Sequence, residues 1–136
     1  MHNNVNGLPL HPYELVTNLQ LNEISGVSIT FINMPLRESA LPNTPPEGPA
    51  ILASIVRQYG GEPYIIDLNG YRIKDNLANK RGLPNGRHLT YDEAEQMICT
   101  HLNTVGNQDV IGFSGKITTL KWQEKIAEII KRLQYN

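Results

Sequence analysis

The chain predicts an α/β fold: a parallel sheet of three strands in spatial order 2-1-3, in a three-layer αβα sandwich. Three observations carry this. Short β-branched runs alternate with helical stripes in the order βαβαβα. Each pair of runs is joined through a helix, and a crossover of that kind makes neighbouring strands parallel. Right-handed crossovers then put helices on both faces of the sheet.

The first strand is Val27-Ser28-Ile29-Thr30-Phe31-Ile32-Asn33, β-branched and aromatic, broken at Pro35. The first helix opens on Thr44-Pro45-Pro46-Glu47, where Thr44 can cap, proline suits the first turn, and Glu47 stands three residues on as a capping-box partner. Ile51, Leu52, Ile55, Val56 and Tyr59 form its apolar stripe, and Gly60-Gly61 stops it. The second strand is Pro63-Tyr64-Ile65-Ile66-Asp67-Leu68. A long segment from Asn69 to Leu89 leads to the second helix, which opens at Thr90 with Glu93 as a capping box. Its stripe is Ala94, Met97, Ile98, His101, Leu102 and Val105, and Gly106 ends it. The third strand is Asp109-Val110-Ile111-Gly112-Phe113-Ser114, and the helix over 117–133 carries Trp122, Ile126, Ile129, Ile130 and Leu133 on one face. Residues 1–26 read as a polar, Asn-rich leader, and residues 27–136 as one α/β domain. This is the first half of a flavodoxin-like or Rossmann-like arrangement.

Composition narrows the function classes. With 136 residues the chain has room for one ordinary domain. Twelve basic against thirteen acidic residues give a net charge of -1, so no charge surplus draws the chain to nucleic acid or to an anionic membrane. A single cysteine, Cys99, excludes an internal disulfide and a cysteine ligand cluster, and mid-helix it reads as a buried inert thiol rather than a nucleophile. No apolar run approaches the roughly 18 residues of a membrane helix. Met1 to Leu10 lack the pattern of a signal peptide, so the expected compartment is the cytoplasm.

In parallel sheets, ligands sit beyond the carboxyl ends of the strands where the winding reverses. Order 2-1-3 puts that crevice between strands one and three. Two connections line it: Met34-Pro35-Leu36-Arg37 through Asn43, and Ser114-Gly115-Lys116-Ile117-Thr118-Thr119. The first is longer than a usual βα connection. The second offers Gly115 for close approach of a flat ligand, and the hydroxyls of Ser114, Thr118 and Thr119 for hydrogen bonds. Alternatively, Ser114-Gly115 makes a turn and Thr118 or Thr119 caps the next helix.

Other chemistry has little support. There is no phosphate-binding G-x-x-x-x-G-K motif and no G-x-G-x-x-G after the first strand. His101, on an apolar stripe, reads as a partly buried, hydrogen-bonded histidine rather than a ligand. Arg72, Lys74, Lys80, Arg81 and Arg87 crowd the segment before the second helix against Asp75 alone. That segment reads as a solvated loop, or as a contact for phosphate, carboxylate or an acidic surface.

A family resemblance rests on four stretches: Ile32-Asn33-Met34-Pro35; Pro45-Pro46-Glu47-Gly48-Pro49-Ala50-Ile51-Leu52-Ala53; Gly60-Gly61-Glu62-Pro63 with Asp67-Leu68-Asn69; and Asp109 through Gly115. Together they resemble the N-terminal cobalamin-binding domain of B12-dependent radical SAM proteins, over roughly residues 27–136. Residues 117–125 are similar to the methyltransferase-like branch. The resemblance implies a corrin ring across the carboxyl edge of the sheet. Its contacts would be Met34, Pro35, Leu36, Arg37, Gly48, Ser114, Gly115, Thr118 and Thr119. Cobalamin is large, mostly neutral and edged with amides, which suits backbone groups, hydroxyls and apolar side chains.

The sequence departs from the family twice. It lacks Asp-x-His-x-x-Gly, through which one branch supplies a histidine to cobalt. A His-off mode with Leu36 or Arg37 near the lower face is therefore expected. It also lacks the three-cysteine motif of an iron–sulfur cluster, so no such cluster belongs to this chain. The family domain normally has five strands, and here three βα units are present. Strand three then stands at an edge with unpaired backbone. The expected partners are cobalamin, and either a radical SAM domain or a second copy joined through that edge. Catalysis by the chain alone is not expected. Two other readings follow from the same features: a degenerate interaction domain pairing through its open edge, and a small nucleotide- or flavin-binding protein, for which no phosphate loop speaks.

Overall fold

The structure is a computed structural model. It describes residues 23–35, 45–70, 80, 82 and 89–135, with side chains to Gln134. The elements are β1 (Ser28–Asn33), α1 (Glu47–Gln58), β2 (Glu62–Asp67), α2 (Tyr91–Val105), β3 (Val110–Ser114), a 3-10 turn (Ile117–Thr119) and α3 (Leu120–Tyr135). The sheet has three strands in order β2-β1-β3. Both pairings are parallel, with Ser28 registered on Glu62 and Ile29 on Val110. This is the architecture and strand order expected from the sequence. The last helix starts at Leu120, because residues 117–119 tighten into the 3-10 turn.

The core lies on one face. Thr30, Ile32 and Met34 alternate inward from β1 and the turn after it, as a strand period of two requires. Ile66 and Leu68 join them, and α2 and α3 cover them with Ala94, Ile98, Leu102, Ile126, Ile129 and Ile130. Met97, Trp122 and Leu133, also expected on these helical stripes, flank that cluster half-buried. Tyr91 of α2 meets Trp122 of α3 with ring centroids 4.5 Å apart. At the helix rims Arg132 pairs with Glu95 at 2.6 Å.

The other face is thinner. α1 packs on β1 and β2 and shares no residue with the core cluster. Its expected stripe does not face inward as a whole: Ile51 is 61 % and Leu52 49 % exposed, and the buried residues are Pro49 and Ala53. Small residues at that i, i+4 spacing turn inward, which rotates Ile51 and Leu52 toward solvent. Phe31 leans over Gly112 on this face: a Cβ on Gly112 would stand 3.1 Å from the Phe31 ring.

Helix ends follow local chemistry. Thr90 and Glu93 form the expected capping box on α2, with Glu93 N–H donating to Thr90 Oγ1 and Thr90 N–H donating to Glu93 Oε2. Such a cap contributes about 1 kcal/mol. α1 differs from expectation. Its N-cap is Pro46, with no side-chain cap bond, and Thr44 lies outside the described residues. Gly60 and Gly106 follow the two helices at positive φ, 90° and 82°, where glycine avoids a Cβ penalty.

Candidate functional site at the strand tips

The carboxyl ends of β1, β2 and β3 meet the first turn of α1 around a cleft of about 260 Å³. Its lining comes from Asn33, Asn69, Ser114 and Lys116 at the strand ends, Gly115 beside them, and the Pro45–Pro49 turn. The strand ends are braced to each other. Asn33 donates its amide N–H to Asp67 Oδ1 at 2.8 Å, and the same oxygen accepts Asn69 N–H at 3.0 Å. Met34 N–H donates to Ser114 O at 2.8 Å, so the turn after β1 is held to the end of β3.

The start of α1 is poor in donors. Proline at 46 and 49 supplies no N–H, and Glu47 N–H already bonds Pro45 O at 2.7 Å. Glu47 adds a negative charge to that end. The free N–H groups that make a helix start an anion site are thus mostly removed, and acid stands beside what is left. The described surface offers pyrrolidine rings, two amides, a hydroxyl and backbone groups, with one acid and one lysine.

The sequence-predicted contacts divide. Gly48, Ser114 and Gly115 line the cleft. Met34 is fully buried in the core and Pro35 is buried beside it, so neither presents a ligand surface. Leu36 and Arg37 lie outside the described residues. Thr118 is exposed and does not line the cleft. Thr119 is 2 % exposed, and its hydroxyl is spent within the turn. It donates to Lys116 O at 2.8 Å and accepts from Lys116 N–H at 3.1 Å and Gln123 Nε2 at 3.2 Å. Gly115 is needed for the same reason: a Cβ there would fall 2.5 Å from Thr119 Oγ1 and 2.8 Å from Gln123 Nε2. Its openness serves the protein's own turn. Asn33, Asn69 and the prolines of the 45–49 turn belong to the stretches that carry the resemblance but were not among the expected contacts, although Asn33 ends its strand and polar strand ends are the general signal for this position.

No family model, no curated protein and no solved structure matches this chain. Among the described residues no group of three or more His, Cys, Asp or Glu side chains is placed to hold a metal ion. No described helix is long and apolar enough to cross a membrane.

Proposed function

We propose that this chain is a cofactor-holding α/β module that takes cobalamin across the carboxyl tips of its sheet and does not catalyse alone. The observation that supports this is the strand-tip cleft, whose neutral lining and donor-poor helix start favour an amide-edged ligand over a phosphate. Its volume suits the edge of a corrinoid with its amide arms, while the ring would extend beyond the tips. Among the described residues no histidine lines the cleft. The cofactor would supply the methyl-carrying metal chemistry, and a separate radical SAM part would generate the radical. What this chain contributes is position: Asn33, Ser114 and the backbone around Gly48 as hydrogen-bond partners, and the prolines as a rigid wall.

The test is titration of the full chain with hydroxocobalamin, followed by visible absorbance and co-elution on gel filtration. Stoichiometric retention with a spectral shift, lost in Gly48→Trp, is the expected result. Gly48 is exposed with nothing within 4 Å of a Cβ, so the bulk enters the cleft rather than the core. Corrinoid that elutes free at every ratio overturns the reading. Arg37→Ala and Leu36→Ala are expected to change the bound spectrum if either side chain faces the cobalt.

A second reading has its own observation. Among the described strands β3 stands at the edge, and Val110 and Phe113 on it are 47 % and 38 % exposed. An interaction module pairing through this edge uses that surface without any ligand.

A further inference from the structure

On the α1 side of the sheet, α1 packs on β2 and β1 with Pro49 and Ala53 buried. Beyond it the register sets Ile29 beside Val110 and Phe31 beside Gly112 on this same face. Ile29 and Phe31 are half-buried and Val110 is 47 % exposed. Gly48 shares the strand-tip cleft with Ser114 and Gly115, so its flank of α1 is the one turned to β3. One and two turns on, that flank carries Leu52, exposed, and Ile55, half-buried. The result is an apolar trough, with Ile29, Phe31 and Val110 as floor and Leu52 and Ile55 as wall.

In a three-layer sandwich such a trough takes a second helix beside α1. The way the chain enters the sheet points to one occupant. A turn over Glu23–Gly26 leads into β1, closed by Val27 N–H donating to Ile24 O at 3.0 Å, with Gly26 at φ 78°. A Cβ on Gly61 would meet Val56 Cγ1 of α1 at 2.7 Å and Ile24 Cδ1 at 3.1 Å, so Ile24 lies against α1 at the amino end of the sheet. A turn there sends the preceding chain back along β1 on the α1 side. Residues 36–44 and the stretch after Gly70 leave instead from the carboxyl ends of β1 and β2.

The residues upstream carry a matching pattern. Within Tyr13–Leu21, Leu15, Val16 and Leu19 share one helical face, and Glu14, Thr17 and Asn18 fall opposite. Nine helical residues are about 13 Å long and a strand of β1's length about 20 Å, so the segment fits within the trough. We infer that Tyr13–Leu21 docks there as a helix antiparallel to β1, with Leu19 over Val110 and Leu15 one turn higher, toward Phe31. The leader is then the missing part of the third layer. It closes the β1–β3 face to other partners and leaves the backbone edge of β3 as the surface for pairing. The inference needs no ligand and does not rest on the cobalamin reading.

The experiment uses the full chain with Cys99→Ser, so that introduced cysteines are the only thiols. Leu19→Cys with Val110→Cys is expected to cross-link within the monomer by a short bismaleimide. Leu19→Cys with Asn103→Cys, an exposed position on α2 across the sheet, is expected not to. Separately, Leu19→Asp and Val110→Asp are each expected to lower the urea midpoint, and the double variant to fall by less than the sum of the two, as for residues in contact. Cross-links found only between chains would give the trough to a second copy and overturn the proposal. No cross-link, equal cross-linking of the two cysteine pairs, an unchanged midpoint in Leu19→Asp, or additive losses in the double variant would overturn it as well. None of these readouts involves corrinoid, so failure at the strand tips and failure here are distinguishable.

Discussion

At the residue scale, Thr30 is the member on which the interior polar network turns. It is 1 % exposed, and its hydroxyl donates to Oε1 of Gln108, itself 3 % exposed, and lies 3.0 Å from His101 Nε2. Each buried polar group is thereby satisfied, and leaving one unpaired costs about 1–3 kcal/mol. Thr30→Val strips the hydroxyl from both neighbours at once. His101 also sets a pH dependence. Its folded pKa is lowered by burial while the unfolded value is near 6.5, so the unfolded chain binds more protons in between. The His101 contribution is complete above pH 6.5 and is lost as pH falls through the folded value. Urea midpoints measured from pH 7 to pH 5 are expected to drop in the native sequence and to drop less in His101→Gln; parallel slopes would contradict this. Asp109 works in a lower window. Ser28 N–H and Oγ both donate to its carboxylate at 2.8 Å and hold its pKa below 3.8, so that clip weakens only in stronger acid.

At the scale of elements, the turn between β3 and α3 shows how one motif serves packing where it resembled a ligand loop. Ser114-Gly115 with two threonines allowed both readings in the sequence. The structure gives the turn to Thr119, because its buried hydroxyl already has three partners. Gly115→Ala is expected to lower stability by about 1–3 kcal/mol in urea denaturation, since the added Cβ overlaps Thr119 and Gln123. An unchanged midpoint would mean the turn opens at no cost. The elements themselves were legible because each obeys a local rule: β-branched runs, the Thr90–Glu93 box, the glycines after α1 and α2. The inward side of α1 was not. Ile51 and Leu52 look like core in a helical stripe, but what a helix buries depends on the sheet beneath it, and this sheet accepts Pro49 and Ala53. The place of the candidate site was legible from strand order. Its lining was only partly so, since Met34 follows β1 on the inward side of the pleat and is carried into the core rather than to the rim.

At the scale of the whole molecule, the two faces of the sheet are unequal, and among the described residues no strand pairs with the outer edge of β2 or of β3. Bonding of Met34 N–H to Ser114 O sets the even-numbered residues of β3 toward β1, which turns the backbone of Ile111 and Phe113 outward. No charged residue interrupts Val110–Ser114, the usual protection of an exposed edge. Self-association through this edge is expected to rise with concentration in sedimentation velocity and to be suppressed by Phe113→Lys with the melting transition kept. Equal sedimentation of the two proteins across the concentration range would assign the edge no such role.

The central position of β1 also has a consequence for how the chain comes off the ribosome. Its first neighbour, β2, emerges soon after it and can close a βαβ unit with α1, whereas its second lies far down the chain, with Ser28 and Asp109 separated by 81 positions. Until that last strand appears, one whole side of β1 has bare amides and carbonyls, and Ile32 waits for α3. The nascent protein therefore carries this adhesive segment until β3 has been made, which makes the interval before β3 arrives one in which a chaperone has much to cover.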